Sequence, residues 1–497
     1  MAAGFPGRIG NLEVYPASVS DAGGATYFIA RRGAEKLVAC VGEGKIVGEE
    51  VDMRNRKRMP DRKRVVAGAM DGPNAAAIRS ELRWTRPELI GLRTSIGLGD
   101  RLGLATPGHI RAVRGTGLAA VLAQQSIREM TRTNRTPQEV MDSATWGALQ
   151  EGFRDGFGAD ADHLQQPEDI DACAAAGFTM FTIDPGRHVR NDADTLSASE
   201  IKTECDSLDW NPLAVSQDDL TRSYVGKRVA LHGGGNLLFD ELTFLRAAVK
   251  YGSAIAHTAK MHRHLRQTVS RPFELEVSVD ETETPTSPAE HYFIAAELRR
   301  LGVEFVSLAP RFVGRFEKGV DYIGDLDEFR RSFAEHVAVM RTLGPYKLSI
   351  HSGSDKFSIY PIVAELAEGL VHLKTAGTSY LEALRAIARI EPPLFRSILD
   401  FARGRYETDK ATYHVSADAA KVPPAGSLKD EELPALLDDF DARQVLHVTF
   451  GSVLTADVGE RFGQPIRQAL CRDEEAHYQA VERHLRRHAA PLVQIDN

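Results

Sequence analysis

From about residue 90 onward the chain alternates short apolar, β-branched runs that close on polar or glycine positions with stretches of helical periodicity. That alternation is the pattern of βα units, in which a strand covered by helices on both faces reads as almost continuously apolar. Eight runs fit it: Leu89 to Leu98, Asp155 to Asp160, Phe178 to Asp184, Phe273 to Asp280, Val303 to Pro310, Tyr346 to Ser352, Leu370 to Thr375 and Val445 to Val453. Amphipathic stretches such as Leu326 to Leu343 lie between them. Eight strands close a parallel barrel, so the expected class is α/β, a (β/α)8 TIM-like barrel over residues 86–497. An open doubly wound sheet is the competing arrangement.

Residues 1–85 read differently. Short alternating runs, Thr26 to Ala30 and Lys36 to Val41, lie between glycine-containing turns and predict a small β-rich section packed on the main body. Two connections in the barrel pattern are long, near 190–270 and 380–440. The first holds Arg228 to His232 and a helix through Leu242 to Ala256; the second is largely helical and ends in the acidic stretch Lys429 to Asp441. Insertions of this kind serve as lids or as contacts in a homo-oligomer, and composition does not choose between those roles.

The 497 residues are 43% hydrophobic and 26% charged, which is ample for a buried core and argues against disorder. A formal charge of −8 with scattered Lys and Arg provides no field to hold nucleic acid. The one basic run, Arg54 to Arg64, is short and reads as a solvated loop or strand edge. Cys40, Cys173, Cys205 and Cys471 lie far apart, so neither a disulfide framework nor a thiolate zinc site is indicated, and a reducing cytoplasm is expected. No basic start followed by an apolar run opens the chain, and nowhere do about 18 apolar residues run together, so neither secretion nor a membrane span is expected.

In a barrel of this kind the chemistry gathers at the carboxyl ends of the strands. Here those ends are unusually polar: Asp160, Asp162 and His163; Asp184; Glu276, Asp280 and Glu281; His351, Ser352, Ser354, Asp355 and Lys356; His372, Lys374 and Thr375. Imidazoles and carboxylates converging on one mouth make a divalent cation site, with zinc, manganese, nickel or iron as candidates. A single histidine in a strand is more often a hydrogen-bonded core residue than a ligand, and His372 is the most exposed to that objection. Period-2 alternation puts His372 with Lys374 on one strand face and Ser349 with His351 on another, so both rings point inward if those faces do.

Other signals are bland. His262 and His264 are too close for one helix face and read as surface residues, and His447 reads as core of the last strand. Gly97, Gly99 and Gly103 follow a strand, but the third glycine is displaced and no acidic strand end follows at the right distance, so a nicotinamide site is not indicated. No phosphate-cradling Gly-Lys-Ser or Gly-Lys-Thr loop occurs.

Six blocks carry a resemblance that extends over most of the chain: GLRTSIGLGDRLGL at 91–104, DGFGADADHL at 155–164, FTMFTIDP at 178–185, FELEVSVDE at 273–281, HSGSDKFSIY at 351–360 and LKTAGTSYLEA at 373–383. In them the sequence resembles the tagaturonate epimerase family. The resemblance implies a metal-dependent enzyme that inverts one carbinol of a keto-uronate, with Asp162 and Glu276 as acid/base pair and His163, His351 and His372 holding a divalent cation. For the substrate carboxylate, Arg311, Lys356 and Lys374 are the candidate cations, each equally able to be a plain salt-bridge partner. Counted from the hydroxymethyl end, the inverted C4 is β to the C2 ketone and its C–H is not acidified. Retro-aldol cleavage of C3–C4 followed by recombination is therefore the expected route, since oxidation at C4 needs a hydride acceptor with no cradle in the sequence. A metal-dependent ketose–aldose isomerase or class II type aldolase is the alternative enzyme, and a non-catalytic sugar-acid binding protein the alternative class.

Overall fold

The computed structural model describes residues 5–51, 64–352 and 354–493. Of the basic run, residues 54–63 therefore lie outside the described residues, while Arg64 pairs with Glu50 at 3.6 Å.

Eight parallel strands close a barrel: β1 (Ser95–Gly97), β2 (Ala119–Ser126), β3 (Gly158–Leu164), β4 (Met180–Ile183), β5 (Glu274–Ser278), β6 (Ser307–Ala309), β7 (Lys347–Ile350) and β8 (Val371–Lys374). They pair in sequence order, and β8 closes on β1 through His372 opposite Ser95. Outward positions such as Ile96, Phe181, Leu275, Val277, Leu348 and Leu373 join one apolar cluster with the surrounding helices. Inward positions carry Gln124, Asp160, Asp162, Thr182, Glu276, Ser307, Ser349, His372 and Lys374, all buried. Branched aliphatics usually fill a barrel's interior; this one is filled with hydrogen-bonding groups.

One expected strand is wrong. Val445 to Val453 lies in the helices Phe440–Val448 and Phe450–Thr455, which begin where the Asp439 side chain caps the Ala442 amide. Its β-branched residues look strand-like because the helices are buried in a second apolar cluster with Leu384, Phe395 and Leu437. The strand that makes up the eight is instead β2, Ala119–Ser126, where an apolar run ends in Gln124, Gln125 and Ser126. The first run is also mostly irregular: only Ser95–Gly97 joins the ladder, while the Ile90 and Gly91 amides donate to the Glu274 carboxylate at the closed end.

Among the described residues, strands within 8–50 and 65–69 form a seven-stranded antiparallel sheet that includes Ala25–Arg32 and Glu35–Val41. Between β4 and β5 run two short helices, the hairpin Lys227–Ala230 with Asn236–Phe239, and the long helix Glu241–Thr268. That helix buries His262 against the Phe273 ring, contrary to a surface reading, and leaves His264 half-exposed beside Asp171. The helical stretch near 380–440 follows the last barrel strand, and the last α-helix among the described residues, Glu474–Ala489, packs on Thr106–Val113. There Gly108 leaves room for Val481: a Cβ on the glycine would come within 2.9 Å of the Val481 Cβ. Among the described residues no helix is long and apolar enough to cross a membrane.

Candidate active site

The polar interior rises to a cluster at the carboxyl ends of β3, β4, β5, β7 and β8. Lys374, on β8, is its hub. Its ammonium lies 2.7 Å from both Asp160 and Asp162, 2.8 Å from Glu276, and 2.8 Å from the Thr182 hydroxyl. Gln124 on β2 donates to the other Asp162 oxygen at 2.7 Å. Lys374 is thus saturated by carboxylates and balances charge; it has no donor left over for a substrate.

His163, next to last in β3, has φ of 52°, a left-handed conformation that a β-strand does not supply, and it lines the polar cleft at the mouth. Its Nδ1 lies 3.2 Å from Asp184, which also accepts from Gln165 at 2.9 Å, and its Nε2 is 3.9 Å from Asp162. His351 follows β7; its Nδ1 lies 3.1 Å from Asp280 and its Nε2 2.6 Å from Glu276. The two imidazole rings stand 5.0 Å apart. Ligating atoms of Asp162, His163 and His351 all fall within 4.8 Å of one another.

These groups suit a divalent cation on two physical grounds. Each histidine has its Nδ1 beside a carboxylate, the usual arrangement behind a metal-binding ring, while its Nε2 faces Asp162 at 3.9 Å in His163 and Glu276 at 2.6 Å in His351. Charge is the second. Among the described residues, Asp160, Asp162, Asp184, Glu276 and Asp280 are paired with one ammonium and the two imidazoles. Burial pulls the pKa of His163 down, yet Asp162, Asp184, Glu281 and Asp280 outweigh it and lift it to about 10. His351 rises to about 9 against burial, chiefly through Asp280. Burial pushes Asp162 up, but Lys374, His163 and His351 hold it well below the carboxylate range. Asp160, with burial dominant, sits near 6. The imidazole protons thus supply positive charge that a metal ion would otherwise bring.

The remaining expected site residues fall in different places. His372 lies one layer deeper, with Nδ1 2.9 Å from the Ser95 hydroxyl, which also accepts from Lys347 at 2.8 Å. Burial drives its pKa down to about 3, and it is not part of the converging set. Lys356 is not at the mouth: its buried ammonium donates to the Glu317, Val320 and Ser354 carbonyls and ties two loops together. Arg311 lines a cavity of about 230 Å³ beside His351, Asp280 and Tyr413, and its buried Nε has no protein partner.

A second polar cleft, lined by Asp162, His163, His351, Lys374, Arg101 and Arg128, adjoins that cavity, and Lys318 and Ser352 line both. Arg101 and Arg128 are committed to Glu129 at 2.7 Å and Glu281 at 2.8 Å. Lys318 donates to the Ser352 hydroxyl. Sequence reading missed Gln124 because β2 was missed, although the polar close of its apolar run was the available signal. Lys318 and Tyr413 lie in loops and carry no pattern, and Arg101, though inside the block at 91–104, lies in a loop that gives its side chain no readable direction.

The profile of the tagaturonate epimerase family matches residues 15–492. The chain belongs to the tagaturonate epimerase family. A tagaturonate/fructuronate epimerase from Thermotoga maritima is 43% identical over 477 residues, 96% of each chain. The native crystal structure of the fructuronate-tagaturonate epimerase from Cohnella laeviribosi superposes with a TM-score of 0.91 at 36% identity, covering 97% of both chains. A glycerol complex of the same protein gives 0.90 at 36% identity, covering 97% of this chain and 96% of that one. Family membership makes this chain an isomerase of the epimerase class.

Proposed function

We propose that this epimerase interconverts tagaturonate and fructuronate by inversion at C4, counted from the hydroxymethyl end, through retro-aldol cleavage and aldol recombination. Family membership supports the substrate pair. The observation that carries the chemistry is the meeting of Asp162 and Glu276, both paired with the Lys374 ammonium, with His163 and His351 at one mouth.

In this reading one carboxylate of the Asp162–Glu276 pair accepts the C4 hydroxyl proton. The C4–O bond becomes a carbonyl, the C3–C4 bond breaks, and its electron pair moves into the enolate of the three-carbon ketone fragment. After the aldehyde turns, C3 attacks its other face, and the proton taken up in the first step returns to the new C4 oxygen by way of the second carboxyl group, so that both members of the pair end the cycle as carboxylates. Each placed proton-transfer group contributes about 10²–10⁴ in rate. Asp184 and Asp280 orient His163 and His351, and these two rings would hold a divalent ion, with Asp162 the third member of the converging set. Such an ion would supply positive charge beside the ketone oxygen as negative charge develops there. Lys318 and Arg311, which line the cavity and form none of the carboxylate ion pairs found among the described residues, are the cations proposed for the substrate carboxylate. Free cysteines support a reducing, cytoplasmic setting.

The test is product analysis. Purified protein incubated with tagaturonate should yield fructuronate by chromatography; an aldose, or three-carbon fragments that accumulate, would overturn the assignment.

A further inference from the structure

Behind the cleft wall lies a group of ionisable side chains that the proposed reaction does not use. Asp355 sits in the turn after β7 with φ of 64°, and Ser352 in the same turn has φ of 48°. Left-handed non-glycine residues persist where the surroundings over-determine them. Arg443 does so from one side: it donates to Asp355 Oδ2 at 2.7 Å and, through Nε, to the Gly319 carbonyl at 2.7 Å. The C-terminal helix does so from the other. His484 Nε2 meets Asp355 Oδ1, while its Nδ1 lies 3.2 Å from Glu382. The Asp355 amide donates to His488 Nε2 at 2.9 Å, and His488 Nδ1 lies 3.2 Å from the His484 carbonyl. All five side chains are buried.

Asp355, His484 and His488 also bring ligating atoms within 4.8 Å of one another. Their chemistry is nevertheless that of a hydrogen-bonded clamp. The His488 Nε2 lone pair already accepts an amide, both Asp355 oxygens are engaged, and the Arg443 guanidinium alongside repels a second cation.

We propose that the C-terminal helix Glu474–Ala489 is a working part of the active site. Through His484 and His488, acting with Arg443, it sets the turn carrying Ser352 and the loop carrying Gly319, and thereby places Lys318 against Ser352 on the cleft wall. The bond from Lys318 to Ser352 makes the two loops one wall. His484 and His488 are positioning residues, more than 120 residues away in sequence from the turn they hold.

The consequence for turnover rests on the reading of Lys318 as a carboxylate contact; the consequence for the loops does not. The experiment compares His488→Leu, His488→Gln and a packing control, Val481→Ala, which loosens the same helix against Gly108 without touching the clamp. His488→Leu should raise KM for tagaturonate by about tenfold or more, with a smaller change in kcat, because displacements near 1 Å in a binding wall carry penalties of this size. It should also speed amide hydrogen exchange at Ser352, Ser354 and Asp355 and around Gly319. His488→Gln, which keeps an acceptor for the Asp355 amide, should recover most of both. Val481→Ala should lower Tm and leave KM and those amides unchanged. Faster exchange with an unchanged KM sustains the clamp and removes Lys318 from substrate binding. Unchanged exchange in His488→Leu, or equal effects from Val481→Ala, overturns the proposal, as does a second stoichiometric metal ion lost on His488→Leu.

Discussion

Replacing Lys374 with Met tests the charge balance on which the site depends. The side chain is 3% exposed and faces three carboxylates exposed by 0 to 5%. Met fills similar volume, so packing changes little, but Asp160, Asp162 and Glu276 are left buried without their shared cation. Breaking a buried pair by removing one partner costs about 3–5 kcal/mol. Against a total of roughly 5–15 kcal/mol for a folded domain, the variant should still fold in mild buffer. The pH dependence gives a sharper signature. Burial raises the pKa of all three carboxylates, and Lys374 is the strongest influence lowering them. Without it Asp160, already lifted to about 6 by burial, rises further, and Asp162 and Glu276 rise from their depressed values, so the native state binds more protons than in the wild type and the deficit grows as pH rises. Urea unfolding of chelated protein at pH 8 and pH 5 should therefore show a deficit that is larger at pH 8, while Lys374→Arg keeps most of the stability. A Met variant within about 1 kcal/mol of wild type at pH 8, or a deficit that grows on acidification, would refute the reasoning.

Asp162→Asn should cut kcat by about 10² or more while a divalent ion is retained, because His163 and His351 remain; loss of the ion on metal analysis would move Asp162 to the ligand set. His372→Gln should leave metal content unchanged, since its ring is held by Ser95 one layer down, and a drop in bound ion would make it a ligand after all. In metal-free protein His163 and His351 have pKa values raised to about 10 and about 9 from an unfolded value near 6.5. Their contribution is complete below that unfolded value and disappears as pH rises through the folded values, so Tm of chelated protein should fall between about pH 6.5 and pH 10. Saturating divalent ion should flatten that fall in thermal melts; a flat or rising chelated profile would contradict it.

Much of this arrangement is legible in the sequence because a buried parallel strand leaves a double signal, an apolar run and a polar close. Asp160 with Asp162, Glu276 with Asp280, and Lys374 could be placed at one mouth from that signal alone. Val445 to Val453 misleads because a helix buried on most sides carries the same apolar residues as a strand, and period does not separate the two over nine positions. Alternation puts His372 on the same strand face as Lys374, but it gives the face and not the depth, and the two-residue step below Lys374 puts it a layer away from the mouth. Lys356 shows the limit for loops: a lysine near a strand end looks like a substrate contact until the three carbonyls around it are seen. His484, His488 and Arg443 lie in helices distant in the chain, and only tertiary packing brings them to Asp355.

The most direct test is the divalent-ion content of the purified protein, measured under metal-replete conditions alongside His163→Ala and His351→Ala. We expect one bound ion per wild-type chain and loss of that ion, together with epimerase activity, in both variants. A fully active wild type with no stoichiometric ion, or variants that keep it, would contradict the assignment of the His163–His351 pair.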